Sequence, residues 1–292
     1  MSVPDITLFN NLAFSLDNTT GLLQTLEQQM GTGKRVNQPS DDPAAYAQSE
    51  LLTQQQAVVT NDVSMASSIQ NRMNSIDGAL AATGDALNTA IQDATEGANG
   101  TLTASQMAAL GNAVGGLLSQ VIGAANFQYS GSYVFGGNQV QAPPYDPTGN
   151  YLGDTGTNAA HLSDGTAIQL TFNGQAVFGN PTTGVIGDLT ALQTALNSGN
   201  QAGVAATLNQ LQADIASIAQ VRSQVGAASN LAAAEVNNGN NNIVNLTSSI
   251  SAATNLDVVK AAAQLQELNL QEQALVSVGT DLGRIPLINV LA

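Results

Sequence analysis

Side chains that could do acid–base or metal chemistry are sparse in this sequence. The single histidine, His161, lies in a stretch rich in Gly, Asn and Asp, between Asp154 and Asp164. A histidine that binds a metal or acts as a general base needs convergent partners, and the chain has no second histidine and no cysteine. We therefore interpret His161 as an exposed loop residue. The sequence predicts no catalytic, metal or cofactor site, and we do not expect an enzyme.

Two other groups of charged residues could have a chemical role. Asp41 and Asp42 are adjacent and could act as paired carboxylates or metal ligands, but neighbouring acids at a helix start more often cap the helix and face its dipole. Arg222 falls on an apolar seam beside Ile218 and Val225. This position predicts a polar residue that fixes register, or a bond to a carboxylate or amide on the paired helix. Partner binding is the lesser alternative.

The two acids belong to the most distinctive segment of the chain. This linker motif consists of Gly33, Lys34, Arg35, Val36, Asn37, Pro39, Ser40, Asp41, Asp42 and Pro43. Gly33 predicts the end of one helix, and Asp42 followed by Pro43 predicts the cap and the first residue of the next. We expect a flexible joint with local charge pairing between its cations and carboxylates.

The helices that must position this linker carry an apolar rhythm of seven residues at both ends of the chain. A period of 3.5 places these side chains on one seam of a helix that needs a partner helix. We predict that the seams of the two terminal helices form an assembly interface. Its residues are Phe9, Leu12, Leu16, Leu23, Leu26, Met30, Leu265, Leu268, Leu275 and Leu282.

The same rhythm continues inside these ends, over residues 69–90 and 204–253. Proline is absent between Pro43 and Pro143, and between Pro181 and Pro286, which permits long helices in both intervals. We predict a turn at residues 97–100, a helix over 103–125, and a short helix that Asp188 caps and that ends near residue 197. Residues 237–242 are predicted as either a frayed helix or a turn. Pro286 breaks the last helical turn.

The middle of the chain differs in kind, since eight of the eleven aromatic residues lie between positions 127 and 178. Alternation at Ile168, Leu170 and Phe172, with many turn residues, predicts short antiparallel strands, and Asn173-Gly174 predicts a hairpin turn. The predicted fold is mainly α with a β insertion: N- and C-terminal helices paired as an antiparallel coiled-coil bundle, with a small β-rich outer domain in mid-chain. The predicted domains are 1–42 with 256–292, 43–126 with 183–255, and 127–182.

Composition narrows the possible partners. Only 9% of the 292 residues are charged, and the formal net charge is −15 with six Lys and Arg, which disfavours nucleic acid and anionic membranes. The first twelve residues lack the basic and apolar regions of a secretory signal. We also expect no segment that approaches the about 18 apolar residues of a membrane span. The sequence thus predicts a soluble protein, or one that leaves the cell without a cleaved signal.

The residue sequence of the linker motif resembles the corresponding linker of the flagellin superfamily, and within it that of the family of distal hook–filament junction proteins. Filament flagellins usually have an Ala- and Gly-containing version around the Asp pair, whereas this chain has Pro39-Ser40-Asp41-Asp42-Pro43-Ala44. Two further segments are similar to that family: Tyr133-Val134-Phe135-Gly136-Gly137, and a last helix that opens at Asn255-Leu256-Asp257 and closes on 287–291. The resemblance covers essentially the whole chain.

The resemblance implies a structural subunit of the bacterial flagellum, exported unfolded through the type III flagellar apparatus and located outside the cell. The implied partners are further copies of this chain, the proximal hook–filament junction protein, flagellin and a flagellar export chaperone, with no membrane insertion. We also expect terminal helices that are mostly disordered in the free monomer and fold when neighbouring subunits cover their seams. The alternatives are flagellin itself, or a secreted hydrolase or adhesin whose β insertion binds a ligand.

Overall fold

The computed structural model describes residues 3–162 and 165–283, and seven helices and four short strands lie within them. The helices are α1 (Val3–Thr32), α2 (Pro43–Ala98), α3 (Ala104–Ala125), α4 (Gly174–Phe178), α5 (Gly184–Asn197), α6 (Gln201–Thr254) and α7 (Val258–Gly283). The strands are β1 (Gln128–Tyr129), β2 (Ser132–Tyr133), β3 (Ala159–His161) and β4 (Ala167–Gln169). The predicted class, mainly α with a small β insertion in mid-chain, is confirmed.

Local sequence explains where the helices begin and end. Asp42 accepts a hydrogen bond from the Ala45 N–H and caps α2, whose first residue is Pro43, as predicted. Thr103 and Gln106 form a reciprocal capping box at the start of α3. Gly33 follows α1 with a φ of +70°, a conformation that glycine adopts without a side-chain penalty.

The described residues fall into two compact units. One combines the residues up to 57 with those from 242 onward, and the other contains residues 58–241 apart from the undescribed 163 and 164. In the first unit α1 packs against α7, and in the second α3 packs against α5. The long helices α2 and α6 also pair, so the predicted pairing of helices from the two halves of the chain is confirmed.

The unit of residues 58–241 has a closed apolar core. On α2 the residues Met73, Ile76, Leu80 and Leu87 are completely buried, and they follow the predicted steps of three and four. On the other helices the core takes in Val114, Val121, Leu189, Leu192, Val204 and Leu211. The seven-residue rhythm in this part of the chain is therefore satisfied within one molecule.

The aromatic middle of the chain forms two small hairpins around an aromatic cluster. Strand β1 pairs with β2, and β3 pairs with β4, both antiparallel. The ring of Phe135 meets that of Phe178 edge-on, with 4.9 Å between centroids, and the buried Tyr145 hydroxyl donates to the Gly179 carbonyl at 2.9 Å. Arg72 of α2 joins this region, since its Nε donates to the Leu170 carbonyl at 2.9 Å.

Three local predictions were wrong or left open. Helix α5 begins at Gly184, so Asp188 lies inside the helix and does not cap it. Asn173 caps the short helix α4 and makes no hairpin turn, because its side chain accepts from the Gln175 and Ala176 N–H groups. Residues 237–242 continue α6 without a break, and an added Cβ at Gly239 would overlap the Val63 side chain. A close approach of α2 and α6 explains the glycine there.

Helix α3 departs from another expectation. It contains no charged residue and is long and apolar enough to cross a membrane by length and composition alone. The expectation that no segment comes near this criterion was wrong. The helix has no long run of large apolar residues, but its many Ala, Gly, Leu and Val residues together give it a high mean hydropathy. In the structure α3 packs against α5 and buries Met107, Val114, Val121 and Ile122.

Candidate assembly interface

The linker motif is held to the turn between α6 and α7 by main-chain hydrogen bonds. The N–H groups of Arg35 and Val36 both donate to the Thr254 carbonyl, at 2.7 and 3.3 Å, and the Leu256 N–H donates to the Gly33 carbonyl at 3.0 Å. Lys34 and Asn255 stand opposite each other as an antiparallel bridge. This short ladder joins the end of α1 to the end of α6. The joint that was predicted to be flexible is therefore held by main-chain hydrogen bonds.

Arg35 adds two side-chain bonds to this joint. One guanidinium nitrogen donates to Asp42 Oδ2 at 3.0 Å, and the other donates to the Ala253 carbonyl at 3.0 Å. The predicted charge pairing inside the motif is therefore confirmed for Arg35 and Asp42. Beneath it Val36 is 3% exposed and provides the apolar anchor of the joint.

The two acids of the motif have separate roles. Asp41 Oδ2 accepts from the N–H groups of Asn37 and Gln38, at 2.8 and 3.1 Å, and closes the turn that leads into α2. Asp42 caps α2 and pairs with Arg35. The Asn37 N–H lowers the pKa of Asp41, and the Ala45 N–H together with Arg35 lowers that of Asp42. Both carboxylates are used within the chain, Asp42 as the predicted helix cap and Asp41 in the turn before it.

The terminal helices cover part of their predicted seam by pairing with each other. Leu23 and Leu26 of α1 are each 7% exposed, and Ala261 of α7 is 1% exposed. The predicted residues that are half-buried are Leu12, Leu16, Met30, Leu265, Leu268 and Leu275. Phe9 remains 57% exposed, and the side chain of Leu282 lies outside the described residues, as do Pro286 and the last turn.

Large apolar side chains off the seam stay exposed on the same two helices. Phe14 is 75% exposed and Leu22 51% on α1, while Val259 is 83% and Leu270 67% exposed on α7. An open groove of about 420 Å³ also lies between the helices, lined by Leu22, Thr25, Leu26 and Gln29 of α1 and by Gln264, Glu267, Leu268 and Gln271 of α7. The heptad pattern could not find the exposed residues, because they interrupt the polar face that it assumes.

The remaining candidate groups lie apart from this surface. His161 is exposed at the end of β3, and the Asp154 carboxylate accepts the Asn138 and Gly156 N–H groups, both at 2.8 Å. Asp164 lies outside the described residues, and within the described part no cluster of three metal-binding side chains occurs. Arg222 forms a two-point pair with Asp77, at 2.7 and 3.0 Å, which confirms the bond predicted across to α2.

Known proteins resemble part of this chain in sequence and much of it in fold. Flagellar hook-associated protein 3 of Salmonella typhimurium is 28% identical over 173 residues, which cover 59% of this chain and 55% of that protein. The protein of the same name from Escherichia coli is 29% identical over 167 residues, 55% of this chain and 51% of that protein. The chain thus spans about half the length of the curated relatives it matches.

A solved structure extends the similarity in fold. FlgL of Bacillus cereus superposes with a TM-score of 0.60 at 21% identity, over 69% of this chain and 99% of that one. Residues 7–140, which contain the linker motif and most of α1 to α3, match the family model of the bacterial flagellin N-terminal helical region. The N-terminal part of this chain is thus similar to the flagellin N-terminal family.

Proposed function

We propose that this chain is a structural, non-enzymatic subunit of the bacterial flagellum, outside the cell, that forms the junction between hook and filament on which flagellin polymerises. The observation that carries the proposal is the terminal pair of α1 and α7, which leaves Phe14, Leu22, Val259 and Leu270 exposed. A monomeric soluble protein rarely exposes several large apolar side chains on one helix pair without using them. The similarity to hook-associated proteins supports the same conclusion.

The linker favours a junction subunit over flagellin. Pro39 and Pro43 flank the turn that Asp41 closes, and Arg35 fixes that turn to the end of α6. The residue sequence from Pro39 to Ala44 is the version of the motif that resembles the junction-protein family. Flagellin remains the second candidate, since the family match covers the helical region that flagellins share.

The proposed organisation assigns one task to each part of the chain. Residues 1–42 with 256–292 form the assembly unit, residues 43–126 with 183–255 form the helical bundle, and residues 127–182 form the β-rich outer domain. The assembly interface comprises the terminal seam residues, and neighbouring copies complete the cover of α1 and α7. Its further partners are the proximal hook–filament junction protein, flagellin and an export chaperone.

We propose that the assembly unit is mostly disordered in the free monomer and becomes ordered when neighbouring copies bind. The unit is small, and its groove and exposed apolar residues leave little of it firmly packed. An NMR spectrum of the isolated chain should show few dispersed amide signals from residues 7–30 and 258–283. Fully dispersed signals from both helices would contradict this part of the proposal.

The decisive experiment is deletion of the gene followed by electron microscopy of the cells. Hooks should persist, filaments should be missing, and unpolymerised flagellin should accumulate in the medium. The wild-type gene should restore filaments, whereas a Phe14→Ser version should not, and Asn18→Ser provides a control on an exposed polar residue of the same helix. Normal filaments on the deletion strain would overturn the junction role.

Two further measurements separate the alternatives. Copy number distinguishes flagellin from a junction subunit, because a junction needs only about one helical turn of subunits while a filament needs far more. Removal of residues 127–178 tests the adhesin or hydrolase alternative, which requires that region for ligand binding. If that deletion left assembly and motility intact but abolished surface binding, the β-rich region would carry the function.

A further inference from the structure

We propose that Asp188 of α5 and Asp214 of α6 share one proton, and that loss of this proton above neutral pH weakens the contact between these two helices. Both residues belong to the unit of residues 58–241. Neither has a role in the capping, pairing or assembly contacts described above. The pair therefore forms a pH-sensitive contact inside the helical part of the molecule.

The geometry of Asp214 requires a proton. Only 8% of the residue is exposed, although it carries an ionisable carboxyl group, and its Oδ2 atom is buried with no hydrogen-bond partner. The carboxyl group of Asp188 acts on that of Asp214 through its charge and a hydrogen bond. Two ionised carboxylates can only accept hydrogen bonds, so they repel each other, whereas one shared proton supplies the missing donor.

No cation compensates this pair among the described residues. Helix α3 carries no charged residue, and Asp188 is the only charged residue of α5. On α6 the guanidinium of Arg222 is bound to Asp77, with Asp85 of α2 also acting on it. Asp93 of α2 has Glu96 as its charged neighbour. The charge that acts on the Asp214 carboxyl is that of Asp188.

The titration behaviour agrees with this arrangement. Burial, followed by the charge and hydrogen bond of Asp188, raises the pKa of Asp214 to about 7. Burial raises the pKa of Asp188 as well, but the hydrogen bond from Asp214 acts in the opposite direction. Asp214 is buried and Asp188 only partly buried, so the shared proton is assigned to Asp214 and Asp188 is its acceptor. Beside the pair, an open cavity of about 620 Å³ lined by Asp188, Thr207 and Gln210 gives water access to the acceptor.

The sign of the pH effect follows from the raised value. An unfolded Asp214 loses its proton near the ordinary value of 3.8, whereas the folded one keeps it until about 7. The contribution to stability is therefore complete at low pH, declines as the pH rises between these two values, and is lost once the pH exceeds the folded pKa. The contact between α5 and α6 should be tightest in mildly acidic medium.

Thermal unfolding of the full chain at a series of pH values tests the proposal. Between about pH 5 and about pH 8 the unfolding midpoint of the wild-type chain should fall by several degrees, and Asp214→Asn should flatten this decline, because its amide donates a hydrogen bond at every pH. At the alkaline end the variant should be more stable than the wild type. Glu235→Gln on the same helix is the control and should keep the wild-type slope.

Three results would overturn the proposal. A constant difference between the wild type and Asp214→Asn at every pH would mean that Asp214 has only a packing role. A carboxyl signal of Asp214 that titrates near 3.8 in a carbon-detected NMR experiment would show that no proton is retained. An unfolding midpoint that Ca²⁺ raises in the wild type at alkaline pH, but not in Asp214→Asn, would show that the two carboxylates hold a cation.

Discussion

The two units of this chain use one sequence rhythm with different results. In the unit of residues 58–241, side chains such as Met73, Ile76 and Leu80 on the rhythm are completely buried. In the terminal unit, Leu23 and Leu26 are nearly buried, while Leu12 and Leu265 on the same seam are half-buried. A heptad pattern therefore identifies an apolar face that must be buried against another helix. It does not say whether one molecule can bury that face completely.

The contrast predicts the largest stability loss in the closed core. Leu80→Ala should lower the free energy of unfolding by about 2–5 kcal/mol, because a completely buried leucine leaves a cavity in tight packing. Chemical denaturation monitored by circular dichroism measures this change. Leu80→Met, which keeps the volume, should cost less than about 1.5 kcal/mol. If the alanine variant were as stable as the wild type, Leu80 would not belong to a tightly packed core.

A smaller loss is expected in the seam of the terminal pair. Leu26→Ala should cost about 1.5 kcal/mol, because the open groove beside it lets water replace part of the lost contact. Hydrogen exchange along α1 in assembled material is the appropriate measurement, since the helix is ordered there and exchange reports on it separately. Leu22→Ala, only four positions away, removes a leucine that is 51% exposed and should change exchange less. Equal effects of the two variants would remove the distinction between seam and exposed face.

The next smaller loss of stability is expected at the joint between the linker motif and the end of α6. Arg35→Ala should cost no more than about 1 kcal/mol, since its side chain is 47% exposed and water weakens its pair with Asp42. The effect should be local, with faster exchange of the Leu256 amide, which donates to Gly33. Lys34→Ala removes the same charge one residue earlier and serves as the control. Faster exchange in both variants would point to net charge and not to the hydrogen bonds of Arg35.

The smallest effect on folding is expected at the exposed apolar residues. Phe14→Ser should leave the unfolding free energy within about 0.5 kcal/mol of the wild type, because three quarters of the side chain already faces solvent. Its effect should fall on polymerisation, measured by sedimentation or electron microscopy of assembled material. A variant that unfolded readily, or that assembled as well as the wild type, would contradict the proposed use of this face.

Much of the fold could be predicted from the sequence because it depends on local and periodic signals. Gly33, Asp42 and Pro43 define their helix ends by backbone geometry alone, and the spacing of Ile76 and Leu80 defines a buried face. The sequence also predicts the kind of bond that Arg222 makes to Asp77, though not the partner itself, since an arginine on an apolar seam needs a polar partner on the facing helix.

Other features depend on contacts that no local pattern encodes. Asn173 caps a helix although Asn-Gly is a strong hairpin signal, and Asp188 faces Asp214 although an acid before an apolar run is a common cap. The bonds from Arg35 and Val36 to Thr254 join residues that are more than two hundred positions apart. Tertiary packing decided each of these cases.

The ladder between residues 33–36 and 254–256 has a mechanical consequence. The chain leaves α1 and enters α7 within this one small patch, and Gly33, Arg35 and Asp42 connect the two crossings. A force that separates α1 from α7 at this point must therefore break the main-chain hydrogen bonds between residues 33–36 and 254–256 before it can extend either segment.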